Sequence, residues 1–490
     1  MSKKVVHVII LTMLFSFLLT ANLFASGNAV QSSSSILYGD LNGDEYINSI
    51  DYTLMGRYIL GQTNNLRENH TTAADLNGDG EITSSDCALL VRYILSIINK
   101  FPVENKDISE NIADGFIEGN TKFALDVFKE VCKDEEGENI FISPFTVSTA
   151  LSILYQGAGS DTKEEMAKVL GYDGLDIKEV NNSYKYLLNY FSQLNEDVKL
   201  KNSNSIWINS LIGDNIIKQN FISTNKDVFN ALIEIRDFSD EGIADEINNW
   251  ISEATEGKID KMLDKVPADL LSYIISATYF KGTWTEEFDD EKTNTAPFYA
   301  EDGSTENVMM MSKEGKLEYG EGDGYKAVRL PYGDGEMAMY CILPDKDKPI
   351  NEFIQNMDLH KWNEIKNSIT ERDDVLLRLP RFKIEYAKDG SGSLRGALEA
   401  LGMKKAFQDD ADFSGMSEIG AIVEDVLHKS VIEVNEKGTE AAGVVIIPVA
   451  PTSISRPYFT ANRPFVFVIA DEEYDTILFM GKVGNGNFDN

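Results

Sequence analysis

With 490 residues, 43% of them apolar, the chain is long enough for two or three globular domains. Its 80 acidic against 45 basic side chains give a formal net charge of −35, which a phosphate backbone repels; nucleic acid is excluded as a partner, while cations are favoured. Three scattered cysteines, Cys87, Cys132 and Cys341, are no disulfide framework, so core packing and metal are expected to supply the stability.

Lys3 and Lys4 precede an apolar run from Val5 to Leu19, followed by small residues. This pattern predicts a secretory signal peptide over 1–25, cut after Ala25, with Ala29 as the alternative. The run is short for a membrane span and no second candidate follows. The mature protein is therefore expected to be secreted, without a membrane span, and monomeric.

A segment then repeats at an offset of 35 residues: "YGDLNGDEYINSIDYTLMGRYILG" and "AADLNGDGEITSSDCALLVRYILS". Each copy sets oxygen donors at loop positions 1, 3, 5, 9 and 12. They are Asp40, Asn42, Asp44, Asn48 and Asp51, then Asp75, Asn77, Asp79, Thr83 and Asp86. The carbonyls of Tyr46 and Glu81 serve position 7. A hard cation that needs six or seven oxygens explains this spacing, so two calcium ions are expected. Position 6 is Gly80 in the second loop but Glu45 in the first, where glycine normally allows the sharp turn; the first site is expected to be the weaker.

Over residues 36–98 this duplicated loop and helix resembles a type I dockerin, the module that plugs proteins into the cohesins of a bacterial cellulosome scaffoldin. The resemblance implies a cohesin-binding face at Ser49, Ile50 and Arg57 and another at Ser84, Ser85 and Arg92. The second has the more usual Ser-Ser pair and is the expected docking surface.

A polar linker, 99–115, leads into 116–490, where helical and strand patterns mix without a break. Helices are expected over "TKFALDVFKEVC", "SPFTVSTALSILYQGA" and "ADEINNWISEATEGKI". Strands are expected over "SYIISATYFKGTW", "EMAMYCILP", "DVLLRLPRFKIEY", "PFVFVIA" and "TILFMGKV". The fold class is therefore one large α+β domain with extensive sheet, beside a small all-α calcium-binding module. No G-x-S-x-G elbow, H-E-x-x-H or P-loop occurs, and only His428 of the four histidines sits in a buried-looking context. The chain is read as no enzyme.

The stretch "NEKGTEAAGVVIIPV" puts its smallest residues where a strand should grip hardest. That suits a loop which later becomes a strand between two others, because small side chains lower the barrier to entry. In the inserted strand Thr439, Ala441, Gly443, Val445 and Ile447 face inward, and Glu440, Ala442, Val444 and Ile446 outward. This hinge, Glu436, Gly438, Thr439, Glu440, Ala441, Ala442 and Gly443, resembles that of the inhibitory serpins. "NIFISPFTVSTALSILYQGAGSDTKEEMAKVL", "YFKGTW", "LPRFKIE" and "VLHKSVIEVNEKGTEAAG" follow in serpin order over 116–490.

The resemblance implies the serpin fold, with an exposed reactive loop that traps a serine protease by suicide-substrate insertion. Serpin spacing puts the scissile bond at Thr452-Ser453, or one residue later. Val449-Ala450-Pro451-Thr452 suits subtilisin-like or elastase-like targets. Ser276 stands where many serpins have an asparagine that, with Ser143 and His428, holds the sheet closed; a serine could still reach His428. Two rival readings stand beside this one: a non-inhibitory protein of the same fold, and a cellulosomal enzyme with an unrecognised active site.

Overall fold

The computed structural model describes residues 38–42, 46–60, 72–76, 82–94, 112–133, 135–194, 197–211, 216–387, 392–439 and 456–488. The chain divides into two compact units, Met1–Asn111 and Ile112–Asn490.

In the first unit, α1 (Ser49–Ile59) and α2 (Ser84–Ile94) each follow one acidic loop. The Asn48 side chain accepts from the Ile50 N–H at 2.8 Å, and Asp51 reaches back to the Asn48 N–H at 2.9 Å, a reciprocal cap. Asp86 reaches back in the same way to the Thr83 N–H at 2.8 Å. Met55 and Leu90 meet Tyr38, Leu41, Ala74 and Leu76 in a small core.

In the second unit the described strands form two sheets. In chain order the first eight are β1 (Ile140–Ile142), β2 (Val198–Asn209), β3 (Leu232–Arg236), β4 (Ser272–Thr283), β5 (Asn294–Tyr299), β6 (Thr305–Gly322), β7 (Tyr325–Tyr332) and β8 (Met337–Pro344). Then come β9 (Thr370–Pro380), β10 (Phe382–Tyr386), β11 (Ser430–Asn435), β12 (Gly438–Thr439), β13 (Tyr458–Thr460), β14 (Phe465–Asp471) and β15 (Ile477–Val483). A six-stranded sheet runs β10–β11–β12–β4–β2–β3. A nine-stranded sheet runs β1–β15–β14–β8–β7–β6–β9–β13, with β5 on β6. Every residue of β8, β14 and β15 is buried, which is why these segments read as mostly apolar runs, Asp471 and Lys482 being the charged exceptions.

Helix α3 (Phe116–Cys132) starts five residues before the periodic segment suggests, after Gly115 at φ +82°. In α4 (Pro144–Tyr155) the Ser143 side chain caps by accepting from Thr146 N–H, and Pro144 occupies the first turn, where a missing N–H costs nothing. Helix α5 (Ile243–Ala254) packs Ile247 and Ile251 with Trp207 of β2 and Ile275 of β4. On the other face of β4, Thr278 meets Thr146 of α4. The run "DVLLRLPRFKIEY", expected as one strand, is two: it breaks at Arg381, with β9 in one sheet and β10 in the other. Pro380 has no N–H to carry a ladder through that point.

Candidate functional site

Glu436 and Lys437 turn the chain back from β11 into β12. Val434 and Asn435 pair with Thr439 and Gly438, which pair in turn with Gly282 and Thr283 of β4. The sequence places this stretch in a loop; the structure corrects that for Gly438 and Thr439, which already form a strand between β11 and β4. Close approach permits it. Gly438 has φ +150°, and a Cβ there would lie 2.0 Å from the Gly282 carbonyl oxygen; a Cβ on Gly282 would lie 2.6 Å from the Tyr332 ring.

Thr439 is buried, its Oγ1 2.9 Å from the Tyr332 hydroxyl. Tyr332 stacks on Trp284 with centroids 4.4 Å apart, and the indole N–H donates to the Asn435 carbonyl at 2.9 Å. Burial pushes the Tyr332 hydroxyl well above the ordinary phenol range, so it stays a neutral partner for Thr439. The Glu436 carboxylate is buried and receives Arg381 at two points, Nη2–Oε1 2.6 Å and Nε–Oε2 3.1 Å, while Thr293 donates to Oε1 at 2.6 Å. Such a charge is tolerable only when paired and bonded this fully.

Beyond Thr439, no described strand pairs with β4 on its β11 side, although β2 pairs with its other side from Ser272 to Gly282. A cleft opens there between β4 and β11, its lining including Ser143, Thr146, Ser276, Thr278, His428 and Ser430. Polar groups brace its floor. Ser143 Oγ donates to the Leu478 carbonyl at 2.8 Å and lies 2.7 Å from Thr146 Oγ1, which lies 2.5 Å from Thr278 Oγ1. Each hydroxyl has one proton, so the chain runs from Thr278 through Thr146 and Ser143 to Leu478. His428 Nε2 accepts from the Ser143 N–H at 3.0 Å, which fixes the proton on Nδ1, and burial pushes its pKa down to about 4. Ser276 does not reach His428: its hydroxyl donates to Asn204 Oδ1 at 2.7 Å, directly across the β2–β4 ladder.

Of the expected reactive-loop residues, Glu436, Gly438 and Thr439 come together at the head of this cleft. Glu440, Ala441, Ala442, Gly443, Thr452 and Ser453 lie outside the described residues. The roles of Arg381, Thr293, Tyr332 and Gly282 escaped the sequence reading; Gly282, inside "YFKGTW", and Arg381, inside "LPRFKIE", lay in motifs that carried a local signal.

In the first unit Asp40, Asp51 and Asp86 are buried, Asn42, Asn48, Asp75 and Thr83 half-buried, and Tyr46 exposed. Asp51 Oδ1 accepts from Leu41 N–H at 2.9 Å and Asn42 N–H at 3.2 Å; Oδ2 takes Asn48. Asp86 repeats this with Leu76 at 2.8 Å and Thr83. Both position-12 carboxylates thus close their loops through backbone N–H groups. Burial raises the Asp51 carboxyl above its usual range against the pull of those bonds. Asp44, Asn77, Asp79 and Glu81 lie outside the described residues, as do Glu45 and Gly80. Among the described residues no three His, Cys, Asp or Glu side chains gather as one metal-binding group. The described donors of both loops are hard oxygens, which fit calcium. Ser49, Ile50 and Arg57 are exposed on α1, with Ile50 and Arg57 seven residues apart and so on one face. Arg92 is exposed on α2; Ser84 and Ser85 open that helix, with side chains outside the described set.

Residues 118–486 match the family profile described as serpin (serine protease inhibitor), and residues 38–95 match the dockerin type I domain, a calcium-binding module. The chain belongs to the serpin family and carries a type I dockerin at its N-terminal side. An uncharacterized serpin-like protein of Methanosarcina acetivorans is 32% identical over 383 residues, 74% of this chain and 86% of its own. The leukocyte elastase inhibitor of Sus scrofa is 32% identical over 383 residues, 75% of this chain and 98% of its own. The native-state structure of the thermophilic serpin tengpin is 30% identical with a TM-score of 0.68, covering 76% of this chain and 95% of its own. Among the described residues no helix is long and apolar enough to cross a membrane.

Proposed function

We propose that this protein is a secreted, cellulosome-associated serine protease inhibitor that works as a suicide substrate. The single observation that carries the reading is Gly438–Thr439, seated between β11 and β4 at the head of a cleft that offers strand edges beyond it. A subtilisin-like or elastase-like protease attacks the bond between Thr452 and Ser453 with its own serine and forms an acyl-enzyme. Cleavage frees the segment after Thr439 to continue the strand already begun. About twelve to fifteen residues at ~3.3 Å each carry the tethered protease roughly 40–50 Å. At ~1 kcal/mol net per new hydrogen bond, plus apolar burial, insertion releases on the order of 10 kcal/mol or more. The catalytic chemistry belongs to the target; this chain supplies bait and a sheet that can accept a strand.

Signal peptide 1–25, dockerin 36–98, linker 99–115 and serpin domain 116–490 are the proposed divisions of a monomer. The dockerin holds two calcium ions and docks a scaffoldin cohesin, chiefly through Ser84, Ser85 and Arg92. The test is a subtilisin titration. An SDS-stable covalent complex is expected, with a released C-terminal fragment whose mass begins at Ser453; clipping without a complex would overturn the inhibitory reading.

A further inference from the structure

The helix Ile177–Phe191 ends against the turn that joins β14 to β15, and Tyr186, Tyr190, Tyr474 and Asp471 make the contact. Asp471, the last residue of β14, is fully buried. Its Oδ1 accepts from the Tyr190 hydroxyl at 2.8 Å and its Oδ2 from the Tyr474 N–H at 2.7 Å. The Tyr474 ring stands edge-on to Tyr190 and Tyr186, with centroids 5.1 and 5.7 Å apart, and the Tyr186 and Tyr474 hydroxyls lie 3.3 Å from each other. This is the end of the helix that leads on to β2 at Val198.

Among the described residues no cation pairs with Asp471. Arg329 of β7 is committed to Glu318 and Glu472, at 2.9 and 3.1 Å, and Lys366 to Asp475 at 2.6 Å. Tyr340 of β8 donates to Glu472 as well. Glu473 adds negative charge from the turn itself, and Glu336 brings another carboxylate from the β7–β8 side, its carbonyl accepting from the Glu472 N–H at 2.9 Å. An ionised Asp471 is therefore a buried charge without a counter-charge. Burial pushes its carboxyl from 3.8 up to about 7, against the pull of the Tyr474 N–H and Tyr190 hydroxyl. Burial also raises the Tyr190 hydroxyl, which stays a neutral donor.

We infer that Asp471 is a proton-controlled latch: with its proton it lets the end of this helix lie on the β14–β15 turn, and without it the contact loosens. The latch does not depend on loop insertion. Opening it exposes Asp471 to water, where the carboxyl returns to its ordinary range. Between about 3.8 and about 7 the closed latch holds a proton that the open one has lost. Its contribution to closure is fully present below about 3.8 and is lost as pH rises through about 7.

The test is hydrogen exchange read by mass spectrometry on the full mature chain at pH 5, 6, 7 and 8, with rates corrected for intrinsic exchange. Peptides covering 177–191 and 471–476 report the latch, and 337–344 of β8 serves as the control. The opening constant of the two latch segments should rise about tenfold per pH unit from 5 to 7, one proton's worth, and then level off, while β8 does not follow. Asp471→Asn, which cannot ionise, should give a flat profile. Tyr190→Phe removes a donor that favours the carboxylate, so its levelling should move to higher pH; it decides alone should Asp471→Asn fail to fold. A flat wild-type profile, the wild-type slope in Asp471→Asn, the same slope in β8, or an unmoved levelling in Tyr190→Phe overturns the latch.

Discussion

Arg381 grips the buried Glu436 carboxylate with two nitrogens, at 2.6 and 3.1 Å, at the turn that leads into Thr439. The pair joins the residue between β9 and β10 to the root of the reactive loop. Removing one partner strands the other. Arg381→Ala should cost about 3 kcal/mol of stability, because it leaves the buried Glu436 charge uncompensated, and Glu436→Gln should cost less because the Arg381 charge it strands is partly exposed to water. Urea unfolding of the two variants checks the order; Glu436→Gln as the worse of the two would contradict it.

Thr439 sits where the strand must start. Thr439→Arg forces a long cation into a site that is already filled, at a cost on the order of several kcal/mol. The protease should still cut after Thr452 or Ser453, but deacylation should outrun insertion, turning inhibitor into substrate. Since Thr439 is buried before cleavage, the intact variant should also melt earlier than wild type. A gel with subtilisin and a thermal melt read the two effects; full covalent trapping by the variant would sink the mechanism.

Thr439→Val keeps the shape and removes the hydroxyl. It should leave the Tyr332 hydroxyl buried without its partner and cost about 1–2 kcal/mol. Tyr332→Phe combined with Thr439→Val should recover part of that loss, since neither orphan then remains. Urea midpoints of the two single variants and the double variant measure the coupling.

His428 supplies a pH dependence of defined sign. Its pKa is pushed down to about 4 in the folded chain from 6.5 when unfolded. Between those values the unfolded chain binds a proton that the folded chain does not. Stability from this group is therefore fully present above about 6.5 and falls as pH drops toward about 4, by about 3 kcal/mol in all. Comparing His428→Gln with wild type at pH 7 and pH 4.5 isolates it: the variant should lose less on acidification. An equal loss in both proteins would remove His428 as the cause.

Calcium removal should abolish cohesin binding. Asp75→Ala with Asp86→Ala should do the same, while Asp40→Ala with Asp51→Ala does less, because Glu45 replaces the turn glycine in the first loop. Asp86 also takes the Leu76 and Thr83 N–H groups, so its loss opens the loop even without metal. Calorimetric titration against a cohesin at fixed calcium compares the pairs; equal losses would overturn the ranking of the two sites.

What could be read from the chain was local. Calcium donors recur every second residue within one loop, and "GTEAAG" announces itself by the absence of bulk. What could not be read depends on distant pairing. Gly438–Thr439 is a two-residue strand, too short for any period to mark, and it exists because Gly282 leaves room across the ladder. Arg381 finds Glu436 across 55 residues of sequence. Ser276 chooses Asn204 because register sets them opposite each other, which no reading of "YIISATYFKG" alone reveals.

The two ends of the reactive segment share one support. Arg381, which holds Glu436 at the near end, follows β9 directly, and Leu376–Arg378 of the same strand hold β13 at the far end. Both abutments of the span therefore stand on one end of a single strand, between Leu376 and Arg381, at about 3.3 Å for each residue. A disturbance that changes the twist of β9 reaches both ends of the segment together, so the hold on Glu436 and the pairing of β13 cannot be tuned separately by changes to that strand.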